Sequence, residues 1–360
     1  LHFVEQIEPE TKPRQFALQQ ACVKHPLRAA LLALGTPLSQ SAGLTPGHAP
    51  LPARSPARSY EVFDRDTANL VEMFRPANVP LETEEARLGQ QYQKLTGSLT
   101  VSFCGKEQTL VQMGRYLEEP NRPTREEAWK LVAERRLKEA PAIDAQFDEL
   151  ARLRGQIAAN AGFGNYRDYA FRRLGRFDYT PADCERFHAA VESAIVPLLL
   201  ELQAARKARL GVETLRPWDL AVDPRNRPPL KPFATVDELV TRTQRIFDQL
   251  DPELAAGFRQ MQDLHLLDLA NRKGKAPGGY QSTLPEARLP FIFMNAVGLQ
   301  RDVETILHEA GHAFHALATR EEDLYAYRGA PIEFCEVASM SMELLGHEFL
   351  GEFYNDADAA

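Results

Sequence analysis

The chain has 360 residues, 44% hydrophobic and 26% charged. That is globular composition with enough apolar mass for a sizeable core and, at ~150 residues per domain, about two domains. A formal charge of −8 with no basic block argues against a nucleic-acid partner. The longest predominantly apolar stretch, Ile195 to Leu202, falls far short of the ~18 residues of a membrane span, so no membrane partner is expected.

Cys22, Cys104, Cys184 and Cys335 show no paired spacing and read as free thiols of a reducing compartment. Nothing near Leu1 resembles a signal peptide, so a cytoplasmic location is expected. The absence of an initial Met, and an end at Asn355–Ala360 straight after a helical pattern, read as a piece of a longer chain.

Most of the sequence carries helical periodicity. Residues 1–34 place Phe16, Leu18, Cys22 and Val23 at helical spacing. Residues 35–58 hold Pro37, Pro46, Pro50, Pro52 and Pro56, which cannot sustain a helix or a central strand, and read as a loop. A helical run over 59–96 breaks near Pro76 and Pro80. The alternation of Ser98–Phe103, the turn Cys104–Glu107 and the return Thr109–Val111 predict a β-hairpin.

From Thr124, with Glu127 as its capping-box partner, the pattern is helical to about 210. Residues 215–234 are a proline-bearing loop, and helices resume over 235–271. The glycine-rich run Arg272–Tyr280 lacks the order of a phosphate loop and reads as a tight connection. Leu289–Asn295 is a short apolar run, a strand just before the most informative helix.

That helix carries His308-Glu309-Ala310-Gly311-His312, an HExxH sequence. Val303, Leu307, Ala310, Phe314 and Leu317 step by four and three, the stripe of a helix buried on one face, and Asp302 sits where an N-terminal cap would. One turn apart, ~6 Å between β-carbons, His308 and His312 can reach one zinc ion. Glu309 beside them is placed to take a proton from an acidified water. His315 lies ~10.5 Å beyond His308 along the axis, too far for one straight helix to bring all three to one ion, and is expected to support or pack beside the site. The third ligand must come from another element. The helical pattern from Pro331 and Ile332 to Phe349 offers Glu333, Glu336, Glu343 and His347. Its apolar flanks predict that Glu333 or Glu336 is a buried carboxylate in need of a cation.

The segments Asp302–His315 and Phe334–Met340, with 23 residues (313 to 335) between the second His and the Glu, resemble the zinc metallopeptidases of the thimet oligopeptidase and oligoendopeptidase F family. Weaker similarity to the oligoendopeptidase branch covers Phe74–Leu81, the hairpin near 98–112, Arg216–Asp219 and Gly278–Tyr280. The resemblance implies a mainly α, zincin-like fold of two lobes around a deep channel, with a small β-sheet near the active site. It implies one zinc held by His308, His312 and Glu336, with Glu309 as base and acid, and oligopeptides as substrates. By the same analogy Phe291 to Asn295 forms the edge strand that pairs with the substrate backbone, and Phe291, Phe293, Asn295 and Tyr280 are candidate substrate-binding residues.

The domain division that follows is 1–112, an N-terminal helical region with the proline-rich loop and the hairpin, and 113–360, the zinc-binding catalytic region. The family carries a further C-terminal helical region whose Tyr and His donors serve the tetrahedral intermediate. Each such donor is worth ~10²–10³ in rate, so this stretch by itself is expected to hold metal and to be weakly active or inactive. The reading is a zinc metalloendopeptidase of short oligopeptides. The alternatives are a carboxy-dipeptidase of the same family and a non-catalytic helical peptide-binding protein. An aminopeptidase loses ground because Phe293–Gly298 holds no carboxylate to grip an α-amine.

Overall fold

The computed structural model describes residues 60–355. The helical pattern of 1–34, the proline-rich loop 35–58 and Cys22 lie outside the described residues. Two helices come first, α1 (Glu61–Met73) and α2 (Val79–Gly97), separated by a single 3-10 turn at Pro76–Asn78 where the prolines predicted a break. The hairpin follows as β1 (Thr100–Phe103) and β2 (Lys106–Thr109). Its return strand starts earlier than the Thr109–Val111 alternation suggests. Cys104 and Gly105, at φ 49° and 73°, make a two-residue turn of the left-handed kind that matches strand twist, so Lys106 already pairs with Phe103.

Four helices bear out the long helical reading: α3 (Arg122–Leu137), α4 (Ala140–Asn160), α5 (Tyr166–Arg173) and α6 (Pro181–Leu210). Helix α3 starts before Thr124, because Asn121 takes the cap and accepts from the Thr124 N–H at 3.0 Å, with Pro123 in the first turn. Helix α6 buries none of its residues, and Ile195, Leu198 and Leu202 are exposed. By length and composition alone it would suffice to cross a membrane, although no uninterrupted apolar run of that length exists.

The loop after α6 contains one 3-10 turn, Pro217–Asp219. Helices α7 (Val236–Leu250) and α8 (Pro252–Asp263) follow, and the helical reading of 264–271 fails. His265 adopts φ 55°, its N–H donates to the Gln262 carbonyl, and Leu266 N–H reaches back to Met261, a left-handed stop that ends α8. The chain then forms β3 (Leu267–Ala270), β4 (Tyr280–Leu284) and β5 (Leu289–Ala296), and last α9 (Gln300–Thr319) and α10 (Ile332–His347).

The sheet order is β3-β5-β4, with β5 parallel to β3 and antiparallel to β4. Phe291–Asn295 is therefore the central strand and not the edge that analogy assigned to it. The edge beside it is β4, whose residues are mostly exposed. Thr283 faces Pro290 in the register, and proline has no N–H to give. That pair cannot be a hydrogen-bonded one, so by alternation Thr283 and Gln281 turn their main-chain groups outward, away from β5.

Two compact units are formed. The described part of one, 60–89 with 147–181, is built around Met73, Ile157, Ala158 and Tyr169. Asn78 is buried there, donating to the Ile157 carbonyl at 3.0 Å and accepting from Asn160. The other unit holds the hairpin, the three-stranded sheet and α9 with α10. Its core joins Phe247 and Phe258 of α7 and α8 to Ile292 and Met294 of β5 and to Val303, Leu307, Ala310 and Phe314 of α9. The predicted stripe of α9 is thus its buried face.

Candidate metal centre

Asp302 starts the site by fixing how α9 leaves the sheet. It stands at the third helical position, inside the helix and not at its cap. One carboxylate oxygen accepts from the N–H groups of Val297, Gly298 and Leu299 at 2.7, 2.8 and 2.9 Å. One anion at the positive end of the helix dipole thus ties down three main-chain N–H groups of the turn that leads into α9.

Helix α10 then lies against α9 at very short range, and two glycines permit it. A Cβ on Gly311 would stand 2.6 Å from Ser339 Cα and 2.7 Å from the Ala338 carbonyl oxygen, and one on Gly346 would meet Leu307 Cδ1 at 2.9 Å. At this contact Glu336 reaches the two histidines, and Glu333 does not join them. His308 Nε2 and His312 Nε2 are 3.2 Å apart, and Glu336 Oε2 lies 3.3 Å from the first and 3.8 Å from the second.

The protonation pattern of these groups is set by their outer partners. His308 Nδ1 donates to Glu343 Oε1 at 2.6 Å, and the His312 ring donates to the Cys335 carbonyl. Carboxylate and carbonyl oxygens only accept here, so the neutral rings turn unprotonated Nε2 atoms toward each other. Burial pushes the His312 pKa down, which keeps that ring neutral. Two lone pairs and a carboxylate oxygen converge with no donor between them, which suits a cation. Nitrogen and oxygen ligands at ~2.0–2.1 Å from a tetrahedral zinc stand about 3.3 Å apart, close to the observed separations. Glu336 is half-exposed, contrary to the buried carboxylate expected, and buried Ser339 steers it by donating to Oε2 at 3.1 Å.

Glu309 is buried and points to the sheet. Burial pushes its carboxyl up, opposed by the neighbouring His308 ring and by a hydrogen bond from the Gln281 N–H. That bond uses one outward-turned group of β4. Gly279 runs so close that a Cβ there would lie 3.4 Å from Glu309 Oε1 and 3.0 Å from Thr305.

The other predicted residues are distributed differently. His315 lies on α9 outside the three-ligand group, as the helix geometry required, and His347 is exposed at the end of α10. Phe291 and Phe293 alternate with Ile292 and Met294, the core residues, and so occupy the other face of β5. Tyr280 stacks on Phe293 at 4.8 Å on that face. Asn295 is committed within the fold, donating to the Ala276 and Gly278 carbonyls at 2.8 and 2.9 Å and accepting from Asn271.

Two functional details were missed by reading the sequence. Glu343, offered by the sequence as a possible third ligand two helical turns after Glu336, instead stands behind His308 and orients its ring. Lys275, read as part of a basic connection, is buried, with Nζ donating to the carbonyls of Asp268, Ala270 and Met294 at 2.9, 3.0 and 2.5 Å. It fastens the glycine run that borders Glu309. Cys104, Cys184 and Cys335 are free thiols, and burial pushes the Cys335 thiol up, away from reactivity.

Residues 115–358 match the sequence profile of peptidase family M3. Oligoendopeptidase F of Lactococcus lactis subsp. cremoris is 27% identical over 167 residues, 45% of this chain and 26% of that protein. Oligopeptidase PepF of Bacillus subtilis is 29% identical over 155 residues, 43% and 23% of the two chains. Among solved structures, PZ peptidase A with an inhibitor superposes with a TM-score of 0.87 at 28% identity, over 99% of this chain and 59% of that one. A Bacillus anthracis structure described as an oligoendopeptidase F gives 0.86 at 27%, over 99% and 61%. The chain thus spans about three fifths of the length of these solved structures.

Proposed function

The chain belongs to peptidase family M3, and from that premise we propose that the protein is a zinc-dependent endopeptidase of short oligopeptides. The observation that carries the zinc is the convergence of two unprotonated Nε2 atoms and Glu336 Oε2 within 3.8 Å, each ring locked from behind by Glu343 or by the Cys335 carbonyl. His308, His312 and Glu336 would hold the ion. Bound there, zinc acidifies water and polarises a peptide carbonyl.

Glu309 accepts a proton from the attacking water and passes it to the leaving amine. Its burial favours this, because a carboxyl pushed up toward working pH both takes and returns protons readily. The Gln281 N–H keeps the carboxylate in place between transfers. The substrate backbone lies along the free edge of β4, where the Gln281 carbonyl and both main-chain groups of Thr283 face outward. This replaces β5, whose two edges are occupied. The run Tyr280–Leu284 contains no carboxylate, so an aminopeptidase remains disfavoured on the corrected edge.

Glu309→Gln tests the reading. It should retain near one zinc per chain and bind peptide, with cleavage lost, while Glu336→Ala should lose most of its zinc. Undiminished cleavage by Glu309→Gln, or equal zinc in the wild type and Glu336→Ala, would overturn it.

A further inference from the structure

Beyond the metal ligands, α9 continues the same stripe. His308, His312, Ala316 and Thr319 step by four, four and three, so Ala316 and Thr319 extend the face that carries the ligands. A cavity of about 340 Å³ opens there, lined by Ala316, Thr319, Thr283 of β4 and three arginines, Arg288, Arg320 and Arg328. No carboxylate lines it.

The arginines are held in place and yet available. Arg288 Nη1 donates to the Arg320 carbonyl at 2.9 Å, and Arg328 Nε donates to the Glu322 carbonyl at 2.9 Å. Each guanidinium is anchored through one nitrogen to main chain, which leaves other nitrogens to bind. Neither Arg288 nor Arg328 has a carboxylate partner among the described residues, and Arg320, which also donates to Gln260 Oε1 at 3.3 Å, meets one carboxylate, that of Glu321, which is 83% exposed. The wall is fixed too: Thr319 Oγ1 donates to the Arg328 carbonyl at 2.8 Å, tying the segment before α10 to α9. Tyr325 lies under the Arg328 guanidinium at 5.9 Å.

We propose that this cavity is an anion subsite that binds a carboxylate of the peptide substrate. The proposal rests on the reading of the chain as a peptide hydrolase with its substrate along β4. Gln281 marks the position of Glu309 and Thr283 lines the cavity, so a strand laid on this edge runs from one to the other. From His312 to Thr319 the helix advances ~10.5 Å, which an extended peptide covers in about three residues. A carboxylate some three residues from the bond to be cleaved therefore meets forked guanidinium donors, the geometry in which arginine binds carboxylates best. Two sources supply that group. A strand antiparallel to β4 brings an acidic side chain from the N-terminal side of the bond, and a parallel one brings the free C-terminus.

The test is calorimetric titration of the zinc-loaded chain carrying Glu309→Gln, so that peptides are not consumed. The ligands are alanine-based octapeptides with both ends blocked, the same with one Glu stepped through each position, and the neutral peptide with a free C-terminal carboxylate. One Glu position, or the free C-terminus, should tighten binding roughly tenfold over the blocked neutral peptide at low salt. Adding Arg288→Gln and Arg328→Gln should bring that ratio toward one, while the paired Lys variants should keep part of it. Equal affinity across the series, or a preference that survives loss of both arginines in a protein of unchanged melting temperature, overturns the subsite and leaves the hydrolase reading standing. Failure of every peptide to bind overturns the hydrolase reading itself, and the subsite falls with it.

Discussion

Glu343 Oε1 accepts a hydrogen bond from His308 Nδ1 at 2.6 Å, and this contact decides which nitrogen of His308 faces His312 and Glu336 at the candidate metal centre. A carboxylate behind a histidine ligand fixes the tautomer and the ring plane and raises the basicity of the other nitrogen; loss of such partners costs about 10–100-fold in metal affinity. Glu343→Ala should therefore weaken zinc binding by about that factor while leaving the three ligands in place. Competition with a chromophoric chelator would measure it. Affinity equal to the wild type would show that packing alone orients the ring.

The close approach of α9 and α10 makes a second prediction. Gly311→Ala places a methyl group 2.6 Å from the Ser339 backbone, and backbone cannot step aside as a side chain can. The helices must separate, and Glu336, about one turn before Ser339 on the same helix, moves with α10. A stability loss of about 1–3 kcal/mol is expected for such overpacking, together with reduced zinc per chain. Gly346→Ala meets only the Leu307 side chain and should lose less stability and little zinc. Urea denaturation and elemental analysis of both variants would separate the two effects.

How much of this was readable in advance depended on the range of each interaction. The α9 stripe and the i, i+4 histidines are local periodicity, and the sequence displays them openly. Strand β3 is four residues, Leu267–Ala270, too short for alternation to be told from a helical remnant. Strand β4, Tyr-Gln-Ser-Thr-Leu, is polar and exposed and has no alternating apolar face to announce it. That β5 is central follows from what pairs with it on both sides, a long-range property that no window on Leu289–Ala296 contains. The choice of Glu336 over Glu333 is likewise made by the Gly311 contact. The family resemblance named Glu336 because it matches the Phe334–Met340 segment at its spacing from the second His, information that periodicity does not carry.

Asp268 gives a prediction in pH. Its carboxyl is held down to about 2, first by the side-chain hydrogen bond from Arg272, against burial, and then by Lys275. In the unfolded chain an aspartate titrates near 3.9. The depressed value adds stability that is fully present above that pH and is lost as pH falls from about 4 toward 2. The contribution is about 2.6 kcal/mol at most, reduced by solvent screening at Arg272, whose side chain is 57% exposed. Asp268→Asn should flatten the acid limb of a stability-versus-pH curve between pH 5 and 2 relative to the wild type. Parallel curves for the two proteins would contradict the assignment.

Asp219 anchors the turn after α6 to the start of α3, and the last prediction concerns its removal. The carboxylate is fully buried. It accepts from Arg122 at 3.0 and 2.9 Å, from Arg125 at 3.0 Å and from the Arg216 N–H at 3.0 Å. Burial alone would push this carboxyl up, but the Arg122, Arg216 and Arg125 hydrogen bonds together hold it below its ordinary value. Arg125 is itself 3% exposed and also donates to the carbonyls of Trp218, Glu119 and Pro120. Asp219→Ala leaves that cation buried and uncompensated, which destabilises by about 3–5 kcal/mol where a buried pair is broken on one side. Asp219→Ala combined with Arg125→Met removes both charges and should recover a large part of the loss, since the desolvation of the orphaned guanidinium disappears with it. Chemical denaturation of the wild type, both single variants and the double variant completes the cycle. Additive losses in the double variant would mean that the two side chains act independently and that the main-chain hydrogen bonds alone hold the turn.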